Sequence, residues 1–333
     1  MTVKLIQVGM GGWGRSWARS VVPTVPEIEP VAYVEVDEAA RAEAQSSLSS
    51  SPARFFTTLS DALAAVEADA VLVTTPVGGH VPVGLEAVTA GKHVMVEKPL
   101  AASAAEGRLL VDAAAVQGVV AMVSQNYRFF PAPRKAAELI HSRALGRPQF
   151  VALEFRRNLA RKNTSHHMLK NPLLVDMAIH HFDLMRVILQ DEPTEIYCRT
   201  WNPADSPYED MPSAAAVIRF ASGTMVVYQG SWVSTGKPTY WSGEWRMECD
   251  EGQLSWTSRA GGATGARRDR LSVKPTGQRA RRIPLPEPPL SGRAASLQAF
   301  AQAVTTGKPP AIASTAADNL GSIAFMEAML ESA

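Results

Sequence analysis

The stretch Val3-Lys4-Leu5-Ile6-Gln7-Val8-Gly9-Met10-Gly11-Gly12-Trp13-Gly14 decides the fold of the first part of this chain. A short apolar run leads into Gly9-x-Gly11-x-x-Gly14, and a helical stretch follows. In that setting the first glycine permits a tight turn. The second lets a pyrophosphate approach the backbone, and the third lets helix pack on strand. The helix then begins with free N–H groups and the positive end of its dipole toward the phosphates. Gly9, Met10, Gly11, Gly12, Trp13 and Gly14 are therefore expected to cradle a dinucleotide. A glycine turn with no ligand is the competing reading, and the agreement of strand, loop and helix weighs against it.

Outward from the loop, Val-rich runs recur at Pro30–Glu35, Ala70–Thr74, His93–Glu97 and Val119–Ser124. Helical stretches such as Ser103–Val116 fall between them. Nearly continuous apolar strands alternating with helices predict a parallel sheet buried on both faces. The second strand ends at Glu35, about 20 residues past the loop, where a carboxylate accepts from ribose hydroxyls and repels a 2′-phosphate. Val36 follows rather than arginine, then Asp37, so NAD is favoured over NADP. Arg41 lies within reach of the same corner. Lys98 ends the strand His93–Glu97, and ligands of open α/β sheets gather at the carboxyl ends of strands. A solvated surface position is the commoner fate of a lysine.

After Asn126 the pattern changes. Ala136–Ala144 reads as a helix, Gln149–Arg157 as a strand and Leu174–Leu189 as a strong helix. Ala221-Ser222-Gly223 and Asp250-Glu251-Gly252 each join two apolar runs, as hairpin turns do. The expected fold class is α/β in the first part and α+β in the second. Residues 1–125 form a Rossmann dinucleotide-binding domain. Residues 126–333 form a domain with a large open, mostly antiparallel sheet, for substrate binding and oligomerisation.

The helix Leu174–Leu189 is apolar nearly all round, yet Asp176, His180 and Asp183 are spaced i, i+4, i+7 on one face. A buried charged stripe needs partners or a polar cavity. A cavity with His180 as general base is the functional reading, and a structural Asp–His anchor is the plain one. His181 points elsewhere, as a core or interface histidine. His166, His167, Asp176, His180 and His181 lie near one another in sequence. No HExxH or cysteine set accompanies them, so no metal is expected. Glu154, Arg156 and Asn158 alternate along one strand face and either line the substrate side or face solvent. His166-His167 and Arg161-Lys162 fall in an irregular connection, and loops near clefts carry specificity. An anionic sugar or sugar acid is conceivable there.

The 333 residues suggest two domains, and 46% hydrophobic content supplies their cores. A formal net charge of +1 gives no broad preference for nucleic acid or anionic membrane. The basic segment Arg259–Arg282 lacks interleaved aromatics and reads as a solvated hairpin or subunit edge. No run of about 18 apolar residues occurs, and the N-terminus has no signal-peptide pattern. Cys198 and Cys249 lack metal spacing and read as reduced thiols, so a cytoplasmic location is expected. Met225, Val226, Val227, Tyr228, Trp232, Trp241, Trp245 and Met247 place large apolar residues on both alternating sets. That pattern predicts a second buried sheet face and a homodimer or homotetramer.

Gly9–Gly14, Thr75-Pro76…His80, Glu97-Lys98-Pro99 and Asp176…His180…Asp183 together resemble the glucose–fructose oxidoreductase / inositol dehydrogenase / MocA family. The resemblance runs through nearly the whole chain and includes Ser296-Leu297-x-x-Phe300 and Asp318-Asn319-Leu320. It implies an NAD(P)-dependent oxidoreductase. The hydride would pass between the nicotinamide and a sugar, polyol or sugar-derived alcohol or ketone. It also implies a cis peptide at Lys98–Pro99. Lys98, His180 and Asp176 are then the catalytic set. Thr75, Pro76, His80, Glu97, Lys98 and Asn126 join the glycine loop and Glu35 at the cofactor. Arg156, Asn158 and His167 join Asp176 and His180 on the substrate side. The family's helix often reads Asp-x-Gly-x-His; Ala178 replaces that glycine, and its methyl tightens the pocket floor. Two other classes stay open. One is a nicotinamide-binding sensor, for which the Lys98 and His180 pair would be superfluous. The other is a glycoside hydrolase using NAD for transient oxidation.

Overall fold

The computed structural model describes residues 2–159, 167–259 and 269–333. Arg161, Lys162, His166, Arg267 and Arg268 lie outside the described residues. The chain divides into two compact units. One comprises Met1–Asn126 with Gly292–Ile323, and the other Tyr127–Ser291 with Ala324–Ala333.

In the first unit, β1 (Val3–Val8), β2 (Ile28–Val34), β3 (Arg54–Phe56), β4 (Ala70–Val73), β5 (His93–Val96) and β6 (Ala121–Val123) lie in the order β3-β2-β1-β4-β5-β6. Every pairing among them is parallel. This is the doubly wound order whose strand direction of travel reverses beside β1, the place where such sheets bind ligands. The central strands are apolar throughout because helices cover both faces: β4 is buried at every position. β3 escaped the sequence reading because it is three residues long, at the sheet edge, and starts on the exposed Arg54.

The crossover helices are α1 (Gly12–Ser20), α2 (Glu38–Ser47), α3 (Leu59–Ala65), α4 (His80–Thr89) and α5 (Ala104–Gln117). Asp37, Thr58 and Ser103 cap α2, α3 and α5 by accepting from the N–H groups of Ala40, Asp61 and Glu106. Gly118, at φ 65°, ends α5 in the left-handed conformation that glycine adopts without strain.

The second unit begins with α6 (Pro131–His141) and β7 (Pro148–Arg156). A π-helical turn over Leu173–Ala178 leads directly into α7 (Ile179–Leu189). The strands β8 (Pro193–Trp201), β9 (Ser213–Phe220), β10 (Met225–Ser231), β11 (Glu244–Cys249), β12 (Gly252–Thr257), β13 (Arg270–Pro275) and β14 (Arg281–Arg282) complete the sheet. Its order is β14-β13-β12-β11-β7-β10-β9-β8. Only β7 and β10 pair in parallel, so the sheet is mixed and mostly antiparallel.

One side of this sheet carries Val151, Leu153, Phe155, Ile218, Val226, Tyr228, Trp245, Met247, Leu254 and Trp256, all buried. Trp245 and Trp256 are register partners and stack at 4.7 Å. The expectation of large apolar residues on both alternating sets holds in part: Val227 lies exposed on the outer side beside Val217 and Tyr197. Trp232, Trp245 and Met247 all belong to the buried side, while Glu244, Arg246 and Glu248 alternate with them on the other. Cys198 and Cys249 are free thiols.

The division at the C-terminus differs from a single domain spanning 126–333. α8 (Gly292–Thr306) packs on β1, and β15 (Ser314–Thr315) pairs antiparallel with β6. Arg293 of α8 lies over the Trp13 and Trp17 rings at 4.3 and 5.3 Å and donates to Ser16 Oγ. These ties place residues 292–323 in the first unit. The boundary then falls inside α9 (Ala316–Ser332).

Asp183 of α7 and Arg128, which follows β6, form a two-pronged pair. Arg128 Nε donates to Oδ2 at 2.7 Å and Nη2 to Oδ1 at 2.6 Å. Both side chains are almost sealed from solvent, at 3% and 1% exposure. Removing one partner of a buried pair strands the other charge, at a cost of about 3–5 kcal/mol. Arg128→Met and Asp183→Leu should each lower unfolding free energy by about that amount in urea titrations, and the double variant should recover most of it.

Candidate functional site

The glycine loop is fixed by contacts that exclude a side chain at two of its positions. Gly9 has φ +90°, and a Cβ there would lie 2.6 Å from Thr75 N. A Cβ on Gly14 would lie 1.8 Å from Gly9 O. On Gly11 or Gly12 it would meet nothing within 4 Å. The inner side of the loop is thus closed, and the outer side is bare backbone. Gln7, buried within β1, donates to Gly14 O at 2.8 Å and to Thr74 Oγ1 at 3.1 Å. The Thr74 hydroxyl in turn donates to Gly9 O at 2.7 Å. No side chain caps α1 at Gly11, which leaves its first N–H groups available to an anion.

At the end of β2, Glu35 accepts from Met10 N at 2.6 Å and Asp37 N at 3.0 Å, so its carboxylate sits against the loop. Arg41 donates to the carbonyls of Glu35 and Val36. Asp37 is committed to its helix cap. Thr75 Oγ1 is buried with no hydrogen-bond partner. A bare glycine rim, an uncapped helix start and an acid at the second strand's end fit a dinucleotide.

At the end of β5, buried Glu97 accepts from Trp17 Nε1 at 2.8 Å and from Lys98 N at 3.1 Å. The Lys98–Pro99 peptide is cis. His80 is buried with Nδ1 2.7 Å from Pro99 O and Nε2 2.9 Å from Thr75 O. Burial pushes its pKa down, and the two carbonyls push it back up. Glu97 and His80 were expected at the cofactor. Their hydrogen bonds are internal ties that hold the Lys98 backbone and the Thr75 turn. Asn126, buried at the end of this unit, donates to Ser124 O at 3.4 Å.

In the second unit, the His180 ring lies buried and flat on Tyr127, with centroids 3.9 Å apart and planes 6° from parallel. Asp176 lies in the π turn that leads into α7, four residues before His180. Asp176 borders Tyr208. Burial, with the Asp176 charge added to it, pushes the Tyr208 phenol up to about 12. His167 meets the Tyr208 ring edge-on at 4.6 Å. Next to His180 in sequence, His181 is fully buried between Tyr228 Oη and Trp241 O, and burial pushes it down to about 3. It is a neutral core histidine. Among the described residues, no three His, Cys, Asp or Glu side chains converge as a metal site requires.

Comparison with known proteins joins these two halves. A family model described as an oxidoreductase family with an NAD-binding Rossmann fold matches residues 3–125. The GFO/IDH/MocA C-terminal domain matches residues 134–255. The chain belongs to the Gfo/Idh/MocA oxidoreductase family. Its members here include the uncharacterized protein y4oX of Sinorhizobium fredii, 27% identical over 76% of this chain and 72% of that one. Inositol 2-dehydrogenase of Agrobacterium fabrum is 31% identical over 58% of this chain and 56% of that enzyme. The chain thus spans about half the length of the curated inositol dehydrogenases it matches. An oxidoreductase from Agrobacterium radiobacter, solved with NAD+, L-tartaric acid and magnesium, shares the fold with TM-score 0.85 at 18% identity, covering 100% of this chain and 96% of that one. This member of an oxidoreductase family therefore carries an NAD-binding Rossmann unit over residues 3–125.

The structure gathers some of the expected residues and scatters others. His180, Asp176 and His167 share one region with Tyr208, which no sequence pattern marked because it lies in the connection before β9. Asp183, the third member of the polar stripe, is consumed by Arg128. Arg156 is a correction. The period-two alternation of β7 turns Glu154 and Arg156 to the outer side, where Arg156 pairs with Glu154 and Glu244. Asn158 is exposed and bridges to Val233. Arg259, expected in a solvated basic hairpin, instead lays its guanidinium over Tyr127 at 4.3 Å.

The loop geometry makes a paired prediction. Gly14→Ala should destabilise the first unit by about 2–4 kcal/mol, since backbone must move. Gly11→Ala should leave the melting temperature within error while weakening NAD binding at least tenfold. Thermal denaturation and calorimetric titration of NAD check both.

Proposed function

We propose that this protein oxidises a secondary alcohol of a sugar or polyol, or reduces the matching ketone, with NAD as the redox partner. The observation that carries this reading is the His180 imidazole, buried and clamped flat on Tyr127, in a chain that also presents Lys98 at a strand end of an NAD-binding sheet. When bound, the nicotinamide supplies the hydride acceptor or donor. His180 takes the hydroxyl proton as general base during oxidation and returns it during reduction. Asp176 accepts a hydrogen bond from a substrate hydroxyl and so orients it. Lys98 offers positive charge to the alkoxide that develops as the proton leaves. Glu35 accepts from the adenosine ribose hydroxyls, and the absence of a cation at Val36 favours NAD over NADP. The inositol 2-dehydrogenases among the relatives support the substrate class.

Two coarser features extend into proposals. No helix among the described residues is long and apolar enough to cross a membrane. With free thiols at Cys198 and Cys249, the cytoplasm is the compartment we assign. The outer side of the second sheet carries Tyr197, Val217 and Val227 as cross-strand register partners, at 60%, 44% and 40% exposure, with Trp201 on the same strand as Tyr197. A contiguous exposed apolar row of this kind suits a two-fold contact between copies of the chain.

Activity is tested by following reduced-cofactor absorbance with NAD and NADP across a panel of polyols, sugars and sugar acids. NAD-linked turnover is expected with at least one of them. His180→Ala and Lys98→Met should each lower kcat/KM by about 100-fold or more with NAD affinity retained. Unchanged turnover in both variants would refute the roles. Assembly is tested by sedimentation at micromolar concentration. A dimer or tetramer is expected, and Val217→Glu with Val227→Glu should shift it toward monomer; a wild-type chain sedimenting at 35.8 kDa overturns this proposal.

A further inference from the structure

Arg157 follows the last residue of β7 and leaves the ladder's alternation. Its N–H donates to Ser231 O, and its guanidinium turns inward to lie 4.4 Å over the Trp241 ring. Its Nε and Nη2 are buried with no hydrogen-bond partner. The same edge of the guanidinium is the one that meets carboxylates elsewhere in this chain, in Arg128 with Asp183 and in Arg186 with Glu192. That edge matches a pair of anionic oxygens in a fork. At Arg157 it faces none.

A second guanidinium, Arg259, packs on aromatic rings of the same unit. Arg259 stands at φ +61°, with its N–H held by Asp269 Oδ1 at 3.1 Å. Its side chain lies over the rings of Tyr127 and Phe130, at 4.3 and 5.4 Å. Arg157 lies within the electrostatic field of both Tyr127 and Arg259. The Asp269 carboxylate does not neutralise the pair by a salt bridge. Its oxygens are occupied by the N–H groups of Ala132 and Arg259 and the Ser258 hydroxyl. Among the described residues, neither arginine has a carboxylate partner. Two like charges, one with a buried unpaired edge, cost free energy that an anion would return. Tyr127, the ring under Arg259, is also the plate on which His180 is stacked.

We infer that Arg157 and Arg259 form an anion subsite across the Tyr127 ring from His180, which selects substrates carrying a carboxylate or phosphate on the polyol. This deepens the alcohol-oxidation reading and rests on it. An acid group held by the Arg157 fork fixes one end of the substrate, and a hydroxyl further along the chain then falls to His180. Both arginines are half-buried as residues, and the Nε/Nη2 edge of Arg157 is closed to solvent, so an anion reaches it as the Arg157 side chain swings outward.

The test is equilibrium binding to the NAD-loaded full chain, by calorimetry. The panel holds neutral sugars and polyols, each matched to its uronate or aldonate and to a phosphate ester at the same carbon. At least one anion should bind about tenfold or more tightly than its neutral match. A carboxylate preference and a phosphate preference identify the two forms of the ligand. Arg157→Met should weaken that binding by about 10- to 100-fold, and Arg259→Met by about tenfold. Arg157→Lys, which keeps the charge but loses the fork, should fall between wild type and Arg157→Met. Arg281→Met, on the exposed edge strand β14, should change nothing. Melting temperatures separate misfolding from lost recognition, and Arg157→Lys carries the comparison if Arg157→Met unfolds. The inference is overturned if no anion binds more tightly than its neutral match, or if the arginine variants bind anions as wild type does. Turnover read in parallel keeps the two readings apart. Oxidation of neutral polyols without anion preference removes the subsite alone. Anion binding without reduction of NAD by any panel member removes the alcohol-oxidation reading alone.

Discussion

Arg128 and Asp183 meet edge to edge in a setting where neither has water to fall back on. Arg128 follows Tyr127 directly, and Asp183 lies one helical turn beyond His180. Fixing those two residues therefore fixes their neighbours. The Tyr127 ring is held beside α7, and the His180 ring is held against Tyr127 at stacking distance. A single packed contact between an imidazole and a phenol is worth little and would slide. The forked charge pair beneath it has a defined geometry and a high penalty for being broken. The stack inherits that definition.

The same economy of buried polar groups organises the first unit. A strand buried on both faces should be apolar, yet β1 contains Gln7 and β4 is followed by Thr74. Both are buried, and both spend their hydrogen bonds on the carbonyls that shape the glycine loop. Glu97 is likewise buried at the end of β5, and it joins α1 through Trp17 to the backbone at Lys98. Buried polar groups in folded proteins are almost always matched. Among the described residues, the buried Nε/Nη2 edge of Arg157 carries a formal charge and no carboxylate.

The glycine loop was legible because each glycine answers to a separate steric demand, two of which appear as forbidden Cβ positions. The parallel sheet was legible because burial on both faces leaves runs of Val and Leu. The hairpins at Gly223 and Gly252 were legible through their turn residues. Other features left no local signal. β3 is too short to show a period. The return of residues 292–323 to the first unit is a tertiary choice, made by α8 and β15 through partners far away in sequence. The π turn at Leu173–Ala178 has an ordinary helical composition, so nothing in the sequence marks it. At the end of β7 the alternation was read correctly to Arg156, and the ladder ends there. The next residue, Arg157, obeys the loop and turns inward. One residue's difference moves a guanidinium from the outer face, at Arg156, to a stack on Trp241, at Arg157.

The adjacent pair His180-His181 shows how little a residue type says without its surroundings. Consecutive residues on α7 point about 100° apart, so two identical imidazoles enter different environments. His181 is sealed between Tyr228 and the Trp241 carbonyl, and the loss of hydration holds it neutral down to about pH 3. A ring so placed cannot exchange a proton with a substrate near neutrality. It serves instead as packing for Phe155 and Tyr228. One face of His180 lies on the Tyr127 ring, and Tyr127 lies in turn under the Arg259 charge. A substrate that brings its own anion would offset that charge at the moment of binding. The field around the base would then change with the arrival of the molecule it acts on, so selectivity and catalysis would draw on the same two arginines.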